Sequence, residues 1–298
     1  MKIEKLYPEC KDYIWGGNKL KEKYGKRTDK TPCAESWELS LHKDGLTRLA
    51  NGKTLAETLT EKEIGENAKR FPFFPILVKF IDAKQSLSMQ VHPSDEYALQ
   101  HENSFGKTEM WYIVEAEEGA GIYLGFNESV TKAEYEAAIK EKRLTELLHF
   151  YPVKAGDCYF IPSGTIHAIG AGCLICEIQQ NSNLTYRVYD YGRKDKEGRE
   201  RELHIDKALC VTDLTAFQPV RFTGDILGSC EYFTVTKRTV KGALEQAADE
   251  SSFHCVICVA GSGRVGEHTA TRGDSFFVPA GYGGYRLEGD MEIIVARV

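Results

Sequence analysis

A short segment with alternating polar and apolar residues, Ser88-Met89-Gln90-Val91-His92, is the first place where the chain could do chemistry. Because successive side chains of a β-strand point to opposite faces, Ser88, Gln90 and His92 share one side and the two apolar residues share the other. If the apolar side packs against another layer, an amide and an imidazole two residues apart can both reach one ion. The segment therefore predicts part of a metal site.

A second segment, Lys107-Thr108-Glu109, places an ammonium and a carboxylate on a common strand face. With His167 further along the chain, the candidate ligands are two imidazoles, one carboxylate and one amide oxygen. This mixed set of nitrogen and oxygen donors suits a borderline-soft divalent ion. No thiolate is among the candidates, so the residue types leave zinc, manganese and iron open. A catalytic site would keep one coordination position for substrate or water.

Each candidate ligand also has a structural interpretation. Taken singly, His92 could be a partly buried histidine beside a proline, and Glu109 or Lys107 an ordinary surface charge. Their joint placement on predicted strands favours the metal site. Five further histidines have no such context, and we expect them to be structural or solvated: His42, His101, His149, His204 and His254.

The strands that must position these residues are indicated by short runs of β-branched and aromatic residues, such as FPILVKFI, MWYIVEA and CLICEIQ, broken by Gly, Pro and Asp. This pattern predicts a mainly antiparallel barrel or sandwich. Helical signals are fewer. Capping-box patterns begin at Thr54 and Thr131, and the second opens a periodic apolar stretch from Tyr135 to Leu148. A further short helix is predicted to begin at Ser94.

An internal repeat divides the chain. The segments AGDCYFIPSGTIHAIG at 155–170 and RGDSFFVPAGYGGYRL at 272–287 share a Gly-Asp pair, a short apolar strand and a Pro-x-Gly turn. His167 of the first copy has Gly284 as its counterpart in the second. We therefore predict two related β-barrels: a catalytic one with helical insertions at 1–218, and a degenerate one at 219–298.

The composition favours a small-molecule partner. The net charge of −6 over 298 residues gives no general attraction to nucleic acid or to acidic membrane surfaces. A phosphorylated substrate would need a local concentration of Lys and Arg. We predict a cytoplasmic protein, because the N-terminus has no apolar core of signal-peptide length and no stretch is long enough to span a bilayer. The residue types do not fix the oligomeric state.

The nine cysteines fit a reducing compartment better than a disulfide framework. Two pairs, Cys173/Cys176 and Cys255/Cys258, have the spacing of zinc ligands. Each pair lies in a strand-like run, where residues three apart point to opposite faces and cannot share one metal. We therefore predict that neither pair binds zinc.

The first repeat resembles the second motif of the cupin superfamily, Gly-x5-Pro-x-Gly-x2-His-x3-Asn. Gly156, Pro162, Gly164 and His167 match this motif, and Ala171 stands where the Asn would be. The resemblance implies two cupin-type (jelly-roll) β-barrels with a few short helices. A tight turn would then place the histidine on an inward-facing strand.

A larger set of segments resembles type I mannose-6-phosphate isomerases, also called phosphomannose isomerases, of the short bacterial form. The likeness covers most of the first predicted barrel, and a degenerate second barrel also agrees with this family. The segments that carry it are LSMQVHP at 87–93, GKTEMWYI at 106–113, IPSGTIHAIG at 161–170 and NLTYRVYDYGR at 183–193, with IWGGNKL near Trp15 and ESWELS near Trp37.

This resemblance implies the reversible interconversion of mannose 6-phosphate and fructose 6-phosphate through a cis-enediol. It also implies one zinc ion per chain, bound by Gln90, His92, Glu109 and His167. Moving a proton between C1 and C2 requires a general base, and the enediolate oxygen requires an electrophile, which the metal can supply.

The resemblance assigns further roles around the substrate. Arg187 takes the place of the family's active-site arginine, where electrostatic work suits a guanidinium that stays protonated. Lys107 is the better candidate for proton transfer, since a lysine can act as a base when it is desolvated near a cation. The phosphate is expected to lie near Ser88, Lys79 and Arg193.

The sequence leaves two other functions open. The chain could be a cupin enzyme of different chemistry, because fold alone does not specify a reaction. It could also be a non-catalytic protein that binds a sugar phosphate in a regulatory role. The full candidate ligand set in the first barrel favours the isomerase.

Overall fold

The computed structural model describes residues 1–195 and 197–298, and these form three β-sheets with a few short helices. All the strand pairs within the sheets are antiparallel, which confirms the mainly β fold predicted from the strand-like runs. The N-terminal strand pairs with a strand of the C-terminal sheet, so the two ends of the chain are joined.

The sheets are described by their strands in spatial order. The six-stranded sheet consists of β2 (Glu9–Lys11), β3 (Glu35–Leu39), β4 (Ile76–Ala83), β11 (Cys173–Gln180), β6 (Glu109–Ala116) and β9 (Cys158–Ile161). The five-stranded sheet consists of β12 (Tyr186–Tyr189), β5 (Met89–Val91), β10 (His167–Ile169), β7 (Gly121–Phe126) and β8 (Leu148–Pro152). The C-terminal sheet consists of β1 (Glu4–Lys5), β17 (Ser275–Val278), β15 (His254–Val265), β18 (Gly283–Arg297), β14 (Thr234–Ala248) and β13 (Ile226–Ser229), with β16 (His268–Thr271) paired to β15.

The helices are short and lie between strands. They are α1 (Lys19–Glu22), α2 (Glu61–Ile64), α3 (Asp95–His101), α4 (Lys132–Lys140), α5 (Leu144–Leu147) and α6 (Ile205–Val211), with 3-10 turns at Leu55–Glu57 and Glu66–Arg70. In the part of the chain that the structure describes, no helix combines the length and the apolar character needed to cross a bilayer.

The helix starts follow the sequence signals. Ser94 caps α3 by accepting a hydrogen bond from the Tyr97 N–H, and Thr131 forms a capping box with Glu134 at the start of α4. The predicted end of the second helix is wrong. The stretch from Tyr135 to Leu148 is interrupted at Lys142, which has a φ of 57°, and Leu148 begins strand β8 by pairing with Phe126. Strand pairing with a distant segment therefore overrides the helical period of the sequence.

The six-stranded sheet packs on both faces. On one face, Trp111 and Ile175 pack with Ile122 of the five-stranded sheet and form the interior of the first barrel. On the other face, Cys176 and Ile178 pack against residues of the C-terminal sheet such as Ile257. Burying a large apolar side chain stabilises a fold by about 1.5–3 kcal/mol, so this double-sided packing fixes the sheet that carries part of the site.

The cysteine pairs confirm the alternation argument. Cys173 packs inside the first barrel and Cys176 on the opposite face of the same strand. Cys255 and Cys258 likewise contribute to two different cores. Neither pair can hold one metal, as predicted.

The two copies of the repeat have the same local structure. Gly156 and Gly273 have φ values of 93° and 95°, and each precedes a four-residue strand, β9 or β17. In each turn an aspartate side chain accepts a hydrogen bond from a backbone N–H three residues earlier, at 2.9 Å for both Asp157 and Asp274. These left-handed glycines are required by the turn, since other residues reach positive φ only at a cost. The predicted repeat is therefore confirmed.

Candidate active site

Strand register brings three of the predicted site residues to one level of the five-stranded sheet. Gln90 on β5 pairs with His167 on β10 on one side and with Arg187 on β12 on the other. Residues that pair across antiparallel strands project to the same face, so the three side chains lie in a row across three strands. The row faces the interior of the first barrel.

The imidazoles of His92 and His167 and the carboxylate of Glu109 converge in that interior. One donor atom from each lies within 4.8 Å of the others. Glu109 Oε1 is 3.3 Å from His167 Nε2, and Glu109 Oε2 is 3.8 Å from His92 Nε2. All three side chains are almost completely buried. Residues of β6 and β10 and the residue that directly follows β5 thus form a compact donor group.

Backbone carbonyls orient both imidazoles. His92 Nδ1 is 2.8 Å from the Leu184 carbonyl, and His167 Nδ1 is 2.8 Å from the Thr165 carbonyl. Because a carbonyl oxygen can only accept, each Nδ1 carries the proton and each Nε2 presents its lone pair toward Glu109. Burial lowers the pKa of both histidines, that of His167 to about 4, so both are neutral at pH 7. A neutral imidazole held by its other nitrogen is the form that binds a metal.

Glu109 supplies the observation that tests whether a metal fits. Both carboxylate oxygens are buried, and neither has a hydrogen bond of normal geometry among the described residues. Burial raises the pKa of this carboxyl group. Among the described residues the Lys107 ammonium, 2.6 Å from Oε2, is its cation partner, and Oε1 is left with neither a hydrogen bond nor a cation, which is costly for a buried carboxylate. The donor group is therefore suited to a divalent cation.

Lys107 supplies a positive charge at the same place. Its Nζ lies 2.6 Å from Glu109 Oε2, 3.2 Å from His92 Nε2 and 3.7 Å from Glu177 Oε1. The segment is held there because the Lys107 N–H donates to the Pro93 carbonyl at 3.0 Å. The ammonium thus covers two of the three buried donors on the side of the cavity.

Above this group is a cavity of about 210 Å³. Drug-sized ligands usually occupy pockets of about 300–1,000 Å³, so this volume suits a small substrate. Gln90 and Lys107 form part of its lining, while the three buried donors lie behind them. The other lining residues are Tyr13, Trp15, Glu35, Lys79, Ile81, Leu87, Ser88, Ile169, Glu177, Asn183, Thr185, Arg187, Arg201 and His204.

Gln90 is placed beside the donor group by its register with His167. Its Nε2 lies 3.5 Å from His167 Nε2, and its Oε1 accepts a hydrogen bond from Ser88 Oγ at 3.2 Å. Ser88 also accepts a hydrogen bond from Arg187 Nε at 3.2 Å. Ser88, Gln90 and Arg187 are thus linked along the cavity wall.

Lys79 reaches the cavity from β4 between two carboxylates. Its Nζ is 3.4 Å from Glu177 Oε2 and 3.6 Å from Glu35 Oε2. Burial opposes its charge, but these two glutamates outweigh burial and raise the pKa of Lys79. Burial also opposes the charge of Glu177, yet Lys107 and Lys79 together lower its pKa. The metal-facing end of the cavity is therefore a network of alternating charges.

Arg193, the third residue expected near the phosphate, does not line the cavity. Its Nη1 donates to the Ser86 carbonyl at 2.6 Å, and its Nε donates to Asp190 Oδ1 at 3.2 Å. The chain turns back at Tyr191 and Gly192, where φ is positive. Arg187 and Arg193 therefore do not lie on the same face of one extended strand.

Sequence reasoning missed four lining residues that carry carboxylate, guanidinium or imidazole groups: Glu35, Glu177, Arg201 and His204. One signal was present, because Glu177 is a charged residue inside the apolar strand CLICEIQQ and must find a buried partner there. Arg201 and His204 lie in a loop without a local pattern. His204 was expected to be structural or solvated; its N–H donates to the Arg187 carbonyl at 2.7 Å, and the residue also lines the cavity.

Comparison with known proteins agrees with this architecture. Residues 3–120 match the family model described as phosphomannose isomerase type I, catalytic domain, and residues 225–298 match mannose-6-phosphate isomerase, cupin domain. The chain is 38% identical to the mannose-6-phosphate isomerase of Streptococcus mutans, over 95% of this chain and 94% of that protein.

Solved structures show the same fold. The crystal structure of the mannose 6-phosphate isomerase from Bacillus subtilis covers 100% of both chains, with a TM-score of 0.89 and 34% identity. A mannose 6-phosphate isomerase bound with zinc and yttrium covers 99% of both chains, with a TM-score of 0.77 and 17% identity. With the cupin-type fold and the buried His-Glu-His group, these likenesses lead to one conclusion: the chain belongs to the type I phosphomannose isomerase family.

Proposed function

We propose that this protein is a metal-dependent aldose-ketose isomerase that interconverts mannose 6-phosphate and fructose 6-phosphate through a cis-enediol. Family membership supports the reaction. The observation that carries the proposal is the buried group of His92, Glu109 and His167 directly behind a cavity with basic lining residues. A metal held by this group would therefore lie next to an anionic sugar bound in the cavity.

The proposed metal is zinc, one ion per chain, held by Gln90, His92, Glu109 and His167. Two imidazoles with free Nε2 lone pairs and a buried carboxylate support this assignment; Gln90, whose Nε2 lies 3.5 Å from His167 Nε2, would offer its oxygen after rotation of the amide. A protein of the same fold is bound with zinc. When bound, the metal supplies positive charge that polarises and orients the substrate oxygens.

The proposed proton carrier is Lys107. Its Nζ lies in the cavity lining, 2.6 Å from Glu109 Oε2 and 3.7 Å from Glu177 Oε1, so two carboxylates flank the group that would move the proton. Arg187 is proposed to stabilise negative charge on the substrate, since its guanidinium stays protonated and lines the same wall. Ser88 and Lys79 are proposed to bind the substrate. Arg193 is proposed to stabilise the backbone behind the cavity lining through its hydrogen bonds to Asp190 and to the Ser86 carbonyl.

We also propose that the division at residues 218 and 219 separates a catalytic unit from a packing unit. Among the described residues, every residue that lines the cavity falls between Tyr13 and His204. The strand β1 crosses this division, because it pairs with β17. The nine unbridged cysteines support a cytoplasmic location, where thiols stay reduced.

Metal analysis combined with a coupled isomerase assay tests the function. The metal-loaded protein is expected to form fructose 6-phosphate from mannose 6-phosphate, to lose this activity on chelation and to regain it with zinc. Metal-loaded protein that forms no product would contradict the isomerase, and full activity after chelation would contradict the metal. Calorimetric binding of the sugar phosphate without turnover would instead favour the regulatory alternative.

A further inference from the structure

The C-terminal sheet has two edges of very different length. One edge is β1, which has two residues. The other edge is β14, and its neighbour β13 pairs with residues 234–236 of that strand. Among the described residues, the segment 239–247 of β14 pairs with β18 alone and is mostly exposed. A long exposed strand edge is a template for pairing with another chain, and proteins usually block such edges.

The backbone of this edge directs hydrogen-bonding groups outward at alternate residues. The Lys237 N–H donates to the Asp225 carbonyl at 2.9 Å, on the side of β14 that faces away from β18. The register between β14 and β18 runs without a shift from Thr234 to Ala248. Because peptide groups alternate along a strand, those of residues 239, 241, 243, 245 and 247 point outward as well.

These outward peptide groups have no backbone partner in the part of the chain that the structure describes. The Glu245 carbonyl accepts a local hydrogen bond from Gln246 Nε2 at 3.1 Å, and the N–H of a neighbouring strand can replace this bond. The segment TVKGALEQA contains no proline, and Lys241 is its one residue of the type that usually protects an edge. The edge is therefore open to a further strand.

The side chains on the exposed face form rows of opposite charge with β18. Lys241 pairs in register with Asp290, and Glu245 pairs with Arg286. Residues that pair across antiparallel strands lie on one face, so each row carries one positive and one negative group. Glu245 Oε1 lies 3.7 Å from Arg286, which has a closer partner in Glu288 at 2.9 Å. The charges at the edge are thus open to a second partner.

This edge is complementary to itself. When two copies pair in antiparallel orientation about Ala243, Lys241 of each copy lies opposite Glu245 of the other. All three residues have outward peptide groups, so hydrogen-bonding positions meet hydrogen-bonding positions. Each row of charges then continues across the interface from Asp290 of one copy to Arg286 of the other, and the sign alternates at every strand.

We propose that residues 239–247 form the interface of a homodimer in which the C-terminal sheets of two copies join into one continuous antiparallel sheet. A second copy is the partner that fits this edge, because self-pairing satisfies both the outward peptide groups and the two charges. A contact between identical patches closes as a two-fold dimer. The described lining residues of the cavity lie between Tyr13 and His204, so this interface leaves the proposed active site uncovered.

Sedimentation equilibrium of the full-length, metal-loaded protein over a range of concentrations measures this dimer. Lys241→Glu and Glu245→Lys each place like charges opposite one another, so each is expected to raise the dimer dissociation constant by at least about tenfold. The double variant K241E/E245K restores opposite charges and should recover the dimer. Lys53→Glu changes an exposed lysine outside the C-terminal sheet by the same charge and should behave as the unaltered protein.

A mixture of the two single variants tests the register. The two carboxylates of the Lys241→Glu protein would face the two ammonium groups of the Glu245→Lys protein, so a one-to-one heterodimer is expected although each variant alone dimerises poorly. Ala243→Pro removes an outward N–H without removing a hydrogen bond to β18, and it should also weaken the dimer. Unchanged circular dichroism and thermal unfolding of each variant show that the fold is intact.

Unaltered protein that stays monomeric up to about 1 mM overturns the proposal. A dimer whose dissociation constant changes by less than about twofold in both Lys241→Glu and Ala243→Pro also overturns it, since another surface must then hold the two copies. A mixture without the heterodimer excludes the antiparallel register about Ala243, and assemblies larger than a dimer exclude the two-fold contact. None of these measurements depends on turnover, so the interface and the proposed function are tested separately.

Discussion

The two repeats share a backbone but differ in the side chains that it carries. The Gly164 N–H donates to the His92 carbonyl at 2.8 Å, and the Gly281 N–H donates to the Asp249 carbonyl at the same distance. Asp249 therefore occupies the backbone position of His92. Both hydrogen bonds close the Pro-x-Gly turn.

The other ligand positions follow from strand register. His167 pairs with Gln90 in the first barrel, and Gly284 pairs with Ala247 at the matching place in β18 and β14. Glu109 pairs with Ile161, and in the second copy His254 pairs with Val278. The second barrel thus keeps none of the four proposed ligands at its own position. These counterparts are Ala247, Asp249, His254 and Gly284.

This difference shows that the framework and the chemistry depend on different residues. The turns require glycines with positive φ, and both copies keep them. The strands require apolar side chains on the packed face, and the second copy supplies them against the six-stranded sheet. Because folding does not require the ligands, one copy retains a donor set while the other serves packing alone.

Removing a proposed ligand from the first barrel is expected to have the largest effect on metal binding and activity. His92→Ala is expected to lose bound metal and to lower kcat/KM by at least about a thousandfold, since the metal supplies several kcal/mol of transition-state stabilisation. Metal analysis and the isomerase assay measure both effects. His254→Gln, at the Glu109 position of the second barrel, is the matched control and should keep metal and activity. A His92→Ala protein with full metal and activity would contradict the site.

The next largest effect is expected from Lys107→Met, which keeps the length of the side chain and removes the amine. Loss of a proton carrier should lower kcat by about a hundredfold or more, with metal content retained. Solvent deuterium incorporation at C2 of the substrate should fall in parallel. Lys140→Met, an exposed lysine of α4, is the control. Retained kcat would exclude Lys107 as the proton carrier.

A smaller effect on stability is expected in the second barrel. Burial and then the charge of Arg297 lower the pKa of His254 to about 4, while Asp249 opposes this shift. An unfolded histidine titrates near pH 6.5, so the unfolded state binds more protons between about pH 6.5 and 4. The free energy of unfolding should therefore decrease as the pH is lowered through that range, by up to about 3 kcal/mol for this group.

His254→Gln should remove this part of the pH dependence and can keep a hydrogen bond to Tyr285 Oη, which lies 2.9 Å from Nδ1. Urea unfolding of the metal-loaded protein at several pH values measures the difference from the unaltered protein. If the free energy of unfolding depends on pH in the same way in both proteins, the role assigned to His254 is refuted.

The smallest effect is expected when a histidine is returned to the second barrel. A Cβ built at Gly284 meets no heavy atom within 4 Å, so Gly284→His should fold normally. The position is exposed and the Gln90 position is Ala247, so one imidazole does not recreate a buried donor group. Metal analysis should still give one ion per chain. Two tightly bound ions would show that the second barrel lacks only this residue.

Much of the site was accessible from local sequence patterns. The alternation around Gln90 and His92 predicts a shared face because the strand period is two, and the glycine turn predicts where His167 stands. The helix after Ser94 was predicted from its cap. Zinc itself, and the catalytic roles of Lys107 and Arg187, stay predictions until they are measured.

Other features required contacts between distant segments. The helix expected through Leu148 ends early because Leu148 pairs with Phe126. Arg193 was expected at the phosphate, whereas the turn at Tyr191 directs it to Asp190 and leaves Arg201 at the cavity. No local periodicity identifies a loop arginine as a lining residue.

The sequence alone determined the repeat, the strand-rich fold and the residue types of the donor group, because strand period and glycine turns are local properties of the chain. Only the tertiary structure decided which charges meet: Glu177 with Lys79 and Lys107, and Asp190 with Arg201. The physical reason is that strand register and loop return set distances between segments far apart in the chain. Electrostatic interactions depend on those distances, and sequence spacing does not encode them.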